Sequence, residues 1–295
     1  MLSISYNVSS RLKDSLAKAD SLRQVILLTP VSPQTEITLR WQTTLAHLTG
    51  WASLSNQPLT EDSINTVVNQ VHSDTSSPLT VKVLNYKNAL NYVREFWTAN
   101  PEPVTFTVIK ELAGILAVNP GSEKEIQPLL AYLQTGQTHP LIQSATAHLY
   151  FYPSRLAYLV SLLFLAKYNY NLRGWLSLED YWSLNKTAYL DVIQQSSHSA
   201  HTTLWFEFFC RAVITQMEKA GTSLTSFHPP IRHLTRRQKA ILALLEQPDS
   251  SVSNKAVQKA FNISQVTSSR NLAALTSLGQ LLVHGSGRST YYTRA

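Results

Sequence analysis

Residues 264–292 have the sequence SQVTSSRNLAALTSLGQLLVHGSGRSTYY. The first half carries one inward face at helical spacing and stops at Gly279, a residue type that commonly ends helices. The residues of that face are Ser268, Leu272, Leu275 and Leu278. In the second half, residues 281–284 and 289–292 alternate as strands do around a glycine-containing turn. The segment therefore predicts a helix over residues 265–278 followed by a β-hairpin.

Two further helices are predicted upstream of this segment. Thr235 can cap a helix over residues 236–245, and Ser253 can cap another over residues 254–261. The turn at residues 262–264 separates the second helix from the third. Three helices followed by a hairpin describe a winged helix-turn-helix, and residues 234–292 resemble the winged-helix domains of bacterial repressors.

The charge of the chain is concentrated in the same region. Residues 232–295 contain nine Lys or Arg and two acidic residues, whereas residues 1–231 contain sixteen of each sign. The whole formal charge of +7 therefore belongs to the last 64 residues. A segment with this asymmetry is expected to meet a polyanion, and the helix-turn-helix pattern makes DNA the expected partner.

The resemblance to winged helices implies which residues contact DNA. The third helix would enter the major groove by its N-terminal half, with Arg270 as the candidate for a guanine edge or a phosphate. The wing tip would approach a phosphate or the minor groove. The predicted DNA-binding residues are Gln265, Thr267, Arg270, Asn271, Arg288, Arg236, Arg237 and Lys255. The alternatives are that these charges only solvate a small domain, or that the domain docks a protein.

The rest of the chain is predicted to be an all-helical body. Apolar residues recur at helical period in most segments between residues 11 and 219, and strand signals are nearly absent before residue 280. The polar, proline-containing stretch that begins at Gly221 is expected to be a linker. We predict a helical segment over 1–34, a helical domain over 35–220, a linker over 221–232 and the winged helix over 233–295. The fold class is thus mainly α with a small α/β domain at the C-terminal end.

Composition excludes several classes of protein. One cysteine, Cys210, allows no disulfide framework or cysteine metal site, and its apolar surroundings predict a buried thiol. The clustered glycines of a dinucleotide or phosphate loop are missing before any helix. No apolar run is long enough to cross a bilayer, so we expect no membrane partner and a cytoplasmic location. No cofactor and no metal are expected.

Fragments of the body, in order, resemble the Fic family. They are VLNYKNAL at 83–90, IKEL at 109–112, HPLI and AHLYF within 139–151, WLSL at 175–178 and WFEFF at 205–209. Active members of this family transfer AMP from ATP to a protein hydroxyl. A winged helix after the Fic domain is a recurrent arrangement in the family, so the two resemblances support one another.

The family's active motif, His-Pro-Phe-x-Asp/Glu-Gly-Asn-Gly-Arg-x-x-Arg, is missing where the resemblance places it. Phe151 is followed by Tyr152, Pro153 and Ser154, and then by a segment like the helix after the motif. The resemblance implies a deleted catalytic loop, with Arg155 in the place of the motif's last arginine. The general base, the metal-holding carboxylate and the phosphate-binding backbone would then be absent, and in-line transfer would lose positioning and charge stabilisation.

Other histidines and the inhibitory segment agree with this interpretation. The family's inhibitory helix carries a glutamate, but the corresponding stretch at 51–56 has Ser55 at that place. His139 is predicted to begin a helix and His148 to pack on a helix face. His198 and His201 have ligand-like spacing, yet no carboxylate accompanies them, so we do not expect a metal site there.

Three functions follow as hypotheses. The first is a catalytically inactive Fic-like protein that acts as a DNA-binding regulator or signalling adaptor, as a homodimer if it follows other winged helices. The second is a divergent adenylyltransferase that binds ATP through Arg155. The third makes both domains protein-docking units, with an aromatic surface on the body, against the simpler interpretation of core packing. The aromatic residues in question are Tyr168, Tyr170, Trp175, Tyr181 and Trp182.

Overall fold

The structure is a computed structural model. It describes residues 6–69, 77–97, 103–135, 138–197, 202–227, 234–245, 247, 250–277, 280–285 and 287–294. The chain divides into two compact units, Met1–Thr222 and Ser223–Ala295, called here the helical unit and the C-terminal unit. Each is described by itself.

The first unit is built from helices, as the sequence predicts. They are α1 Ser10–Leu28, α2 Pro33–Leu54, α3 Glu61–Asn69, α4 Pro78–Tyr92, α5 Phe106–Leu116, α6 Glu123–Leu133, α7 Pro140–Phe151, α8 Leu156–Lys167, α9 Leu178–Leu184, α10 Lys186–Ser197 and α11 Thr203–Phe227. A π-helical turn, Val93–Trp97, continues α4. Several helices begin at a hydroxyl that accepts a hydrogen bond from the amide three residues on, as Ser9 and Ser32 do. The mainly α fold class is confirmed.

Helix α8 is the centre of this unit. Ten of its twelve residues are buried, so it is apolar on every side, as a helix surrounded by others must be. It runs antiparallel to α7, and the Ser144 hydroxyl of α7 donates to the Ser161 carbonyl of α8 over 2.7 Å. The two helices position the four residues between them, where the resemblance in sequence implies a deleted loop.

Helices α2 and α9 pack closely against one another at Gly50. A Cβ atom at Gly50 would lie 2.5 Å from the backbone carbonyl carbon and oxygen of Glu179. The close approach allows His47 Nδ1 to lie 2.7 Å from a carboxylate oxygen of Glu179, in a region where both side chains are nearly inaccessible. Gly50 is therefore required for the packing of these two helices.

After the end of α11, the described residues of the C-terminal unit form three α-helices and a three-stranded sheet. The elements are α12 Arg236–Ala243, β1 Ser251–Ser253, α13 Asn254–Phe261, α14 Gln265–Ser277, β2 Leu281–His284 and β3 Tyr291–Arg294. The strands are ordered β1-β3-β2 and both pairings are antiparallel. A small core of Ile241, Leu242, Leu245, Val252, Val257, Leu272, Leu275 and Leu281 joins helices and sheet.

Some sequence predictions differ from this fold. The second hairpin strand begins at Tyr291, two residues later than predicted, because Gly287–Ser289 forms a 3-10 turn. Strand β1 was not expected, since three residues are too short to show alternation. Helix α11 continues to Phe227, so the first seven residues of the predicted linker are helical. The rest of that linker lies outside the described residues.

Candidate functional sites

The second and third helices predicted in the C-terminal region are α13 and α14, and a three-residue turn joins them. Asn262 ends α13 with a left-handed backbone, φ 49°, and the Ser264 hydroxyl accepts from the amide of Thr267 at the start of α14. The two helices are held together by Asn254, whose side-chain amide donates to the Ser269 hydroxyl over 2.7 Å and whose carbonyl accepts from Ser268. The turn of three residues is the length that such motifs use.

The face of α14 that points away from the core differs in part from the predicted one. Gln265 and Arg270 are exposed, while Ser268, Leu272 and Leu275 are buried, as predicted. Two further predicted contact residues are half-buried and hydrogen bonded to nearby residues of the chain. These are Thr267, whose hydroxyl shares a hydrogen bond with Ser264, and Asn271, whose amide donates to the Thr267 carbonyl.

Two exposed residues of this face were missed by the sequence reasoning. Val266 is 59% exposed, and Ser269 is exposed beside Arg270. An apolar side chain at the start of a helix is normally assigned to the core. In α14, however, the helix register places Val266 on the exposed side. Val266 could contact the methyl group of a thymine.

The cations of the C-terminal unit are accessible. Arg236, Arg237, Lys255 and Arg270 are all exposed, and within the described part of the chain none of them forms an ion pair. Both acidic residues of the last 64, Glu246 and Asp249, lie outside the described residues, as does the side chain of Arg288. The described surface of this unit is therefore positive.

The turn between β2 and β3 requires a glycine. Gly285 has φ +73°, and a Cβ atom there would lie 2.5 Å from the carbonyl oxygen of Ser289. Gly287 also has a positive φ, and its carbonyl accepts from the Thr290 hydroxyl. The backbone position of Arg288, between these contacts, is at the tip of the hairpin, where the sequence places it.

A short turn stands where the family's catalytic loop would be. Helix α7 ends at Phe151 and α8 begins at Leu156, so four residues connect them. The Ser154 hydroxyl accepts from the Leu156 amide, and the Tyr152–Pro153 peptide is cis. Arg155 is half-buried, and its Nη1 is buried without a hydrogen-bond partner.

His148, near the end of α7, is enclosed by aromatic rings. Its Nε2 lies 2.9 Å from the Tyr189 hydroxyl and its Nδ1 3.4 Å from that of Ser161. Burial lowers the pKa of His148 to about 3, against the attraction of the Glu179 charge. The ring is neutral and inaccessible at pH 7, so it is part of the core, as predicted, and cannot serve as a base for an external hydroxyl.

A buried polar network that the sequence did not reveal lies beside this ring. Glu179 accepts hydrogen bonds from Tyr86 and His47, which come from α4 and α2. Burial alone would raise the pKa of Glu179, but the His47 charge and these hydrogen bonds lower it below its usual range. The network joins three helices inside the core. Glu179 is only 2% exposed, so a substrate in solution cannot reach it.

The remaining candidates are resolved as follows. His139 caps α7 through Nδ1, as predicted. Cys210 is buried, which raises its pKa to about 12, so it is the inert thiol that was expected. Tyr170, Trp175 and Trp182 are buried, so core packing holds for these three and the contact-surface hypothesis is wrong for them.

Neither a metal site nor a membrane-spanning helix is found among the described residues. His198 and His201 lie outside the described residues, and elsewhere among the described residues no group of three His, Cys, Asp or Glu could hold a metal ion. No helix of the described residues is long and apolar enough to cross a membrane.

Solved structures resemble the chain over most of its length. A Fic family protein from Desulfovibrio desulfuricans G20 has a TM-score of 0.61 at 13% identity, covering 98% of this chain and 97% of that chain. A Fic domain containing signaling protein from Bacteroides thetaiotaomicron VPI-5482 has a TM-score of 0.55 at 15% identity, covering 74% of this chain and 97% of that one. No protein-family model and no curated protein sequence matches the chain. At these identities the likeness establishes the fold, which is that of Fic family proteins.

Proposed function

We propose that this protein is a DNA-binding regulator in which a winged helix-turn-helix contacts DNA and a Fic-fold body has no catalytic role. The observation that carries the proposal is the exposed face of α14, with Gln265 and Arg270 accessible on a helix that follows a three-residue turn. Such a helix fits the major groove, where a guanidinium binds guanine or phosphate and an amide binds adenine. The exposed Arg236, Arg237 and Lys255 would neutralise backbone phosphates.

The absence of catalysis is supported by the α7–α8 turn. Four residues cannot provide the base, the metal ligand and the anion-binding backbone that the family motif supplies. His148, three residues before the end of α7, is neutral and enclosed. Both observations support a body that lacks the catalytic groups of phosphoryl transfer.

A gel-shift survey of labelled genomic fragments, followed by anisotropy titration of a retained fragment, tests the proposal. Four or five cations at the phosphates predict that log Kd changes with log salt with a slope of about 4. Arg270→Gln is expected to weaken binding by about tenfold and to lower the slope by about one.

The matched control is Arg211→Gln, which removes one charge from an exposed position of the helical unit. It changes the net charge equally and should leave both affinity and slope unchanged. Absence of binding to every fragment, or an Arg270 variant that behaves like the Arg211 variant, would contradict the assignment of α14 and favour protein docking.

A homodimer and a cytoplasmic location belong to the same proposal. Two copies on two half-sites raise affinity and fix the spacing of the DNA site. Light scattering of the free protein, and the stoichiometry of the DNA complex, test the dimer. A monomer on a single half-site would contradict it.

A second candidate, nucleotide transfer, rests on Arg155. The buried Nη1 of Arg155 has no hydrogen-bond partner and could meet a phosphate of ATP. Incubation with labelled ATP and lysate, together with calorimetric titration of ATP, distinguishes the candidates. AMP transfer that disappears in Arg155→Ala would replace the regulator proposal.

A further inference from the structure

A cavity of about 280 Å³ opens on the helical unit between α2 and α4. Its lining contains three cations, Arg40, Lys87 and Arg94, together with Trp41 and polar side chains of both helices. The α7–α8 turn and Arg155 do not line it. The cavity is therefore separate from the place where the fold's catalytic loop would stand.

The Thr44 side chain links the two arginines. The Thr44 hydroxyl donates to the Arg40 carbonyl over 2.8 Å and accepts from Arg94 Nη2 over 2.9 Å, which fixes the Arg94 guanidinium. Yet the Nε atoms of both Arg40 and Arg94 are buried without a hydrogen-bond partner. Neither Nε has accessible surface, and that of Arg94 lies 3.0 Å from the position of a Cβ atom at Gly174, so these two atoms do not meet a ligand in the cavity.

Charge in the cavity is also unbalanced. Arg40 pairs with Glu36 over 2.6 Å, whereas Lys87 has no hydrogen bond or ion pair within the described part of the chain. Glu95 follows Arg94 and is a second nearby carboxylate, so three cations face two carboxylates and one positive charge is in surplus. Burial and then the Arg40 charge lower the pKa of Arg94, while the Glu95 charge opposes this without cancelling it.

The backbone at Arg94 is unusual as well. Arg94 belongs to the π-helical turn Val93–Trp97 that continues α4. Such turns are rare and are frequent at functional sites. Here the turn accompanies the residue that joins Thr44 to the cavity.

We propose that this cavity binds a small organic phosphate, with the phosphate at Arg40, Lys87 and Arg94 and the organic part against Trp41. A phosphate monoester carries a charge between −1.5 and −2 at about pH 7, which the three cations of the lining attract, and its oxygens accept from arginine N–H groups. The cavity exceeds one phosphate group and is close to the lower limit of small-molecule sites, about 300 Å³. The exposed Ile37 and the Trp41 ring provide an apolar wall for the remainder of the ligand.

Calorimetric titration of the full chain with phenyl phosphate, inorganic phosphate and benzoate tests this site. We expect phenyl phosphate to bind best, since inorganic phosphate lacks the ring and benzoate carries one charge. Lys87→Gln and Arg94→Gln should each weaken phenyl phosphate binding at least about tenfold, the usual size of a lost charged hydrogen bond. Trp41→Leu should weaken phenyl phosphate and leave inorganic phosphate within about twofold.

Two controls separate this cavity from other cations. Lys82→Gln changes a half-buried lysine of α4 that does not line the cavity, and Arg211→Gln changes an exposed arginine of α11. Both should bind phenyl phosphate as the unaltered protein does. Lys87→Gln decides the matter if Arg94→Gln does not fold, because Lys87 holds no other described group in place. No saturation up to about 5 mM phenyl phosphate, or full binding by Lys87→Gln, would overturn the proposal.

Discussion

Gly50 is the position where one methyl group should have the largest effect on the fold. An alanine Cβ at Gly50 would lie 2.5 Å from the Glu179 carbonyl carbon and oxygen and 2.7 Å from the Asp180 nitrogen. These atoms belong to the backbone of α9 and cannot rotate away, so α2 and α9 must separate by about 1 Å to restore ordinary contact. The separation would stretch the 2.7 Å contact between His47 and Glu179 at the same time.

The expected cost follows from these contacts. Overpacking of a core costs about 1–3 kcal/mol, and weakening a buried charged pair adds to it, while the helix gains about 0.5–1 kcal/mol when glycine becomes alanine. We expect Gly50→Ala to lower the free energy of unfolding of the helical unit by about 2–4 kcal/mol. All six tryptophans lie before residue 223, so urea denaturation followed by tryptophan fluorescence reports on this unit alone.

Gly114 is the matched control. It lies within α5, and a Cβ atom there would have nothing within 4 Å. Gly114→Ala should therefore raise the unfolding free energy by about 0.5–1 kcal/mol through helix propensity alone. If Gly50→Ala were as stable as the unaltered protein, or if both variants moved in the same direction, the close packing of α2 on α9 would be refuted.

Three further predictions concern buried groups. The pKa of His148 is about 3 in the folded protein and about 6.5 in the unfolded chain, so unfolding takes up a proton below about pH 6.5. The free energy of unfolding should therefore fall by about 2–3 kcal/mol between about pH 7.5 and 4.5. In urea titrations His148→Gln should reduce this pH dependence, and an unchanged pH dependence would contradict the assignment. Cys210 should react with a thiol reagent only after urea is added, because the thiol is buried and its pKa is about 12; rapid labelling of the folded protein would be inconsistent with this. Leu272→Ala removes a fully buried side chain from a small core and should cost about 2–5 kcal/mol, detected as faster hydrogen exchange in the C-terminal unit; unchanged exchange there would show that Leu272 is not in this core.

The exposed face of α14 shows how far sequence reasoning reached. Helical spacing identified Ser268, Leu272 and Leu275 as the buried side, and all three are buried. The same spacing placed Thr267 and Asn271 on the outward face, although both are half-buried and their side chains are hydrogen bonded to Ser264 and to the Thr267 carbonyl. Helical spacing predicts the direction in which a side chain leaves the helix axis, but the position of its polar end depends on the nearest hydrogen-bond acceptor.

The polar core shows what the sequence did not reveal. His47 and Glu179 are 132 positions apart, and their 2.7 Å contact depends on Gly50. A histidine and a glutamate in separate helical segments carry no signal of pairing. The glycine was a signal in principle, since glycine inside a helix costs stability and usually has a packing reason.

The sequence by itself indicated that the body is helical, which segment carries the surplus of positive charge, and that few residues separate Phe151 from the next helix. These properties are local, since capping hydroxyls, apolar periodicity and loop length act over a few residues. Only the tertiary structure brought Arg40 and Arg94 to one cavity, buried their unpaired Nε atoms and enclosed His148 in aromatic rings. Those properties depend on contacts between distant segments, and burial, which shifts a pKa or leaves a donor without water, exists only when the helices have packed.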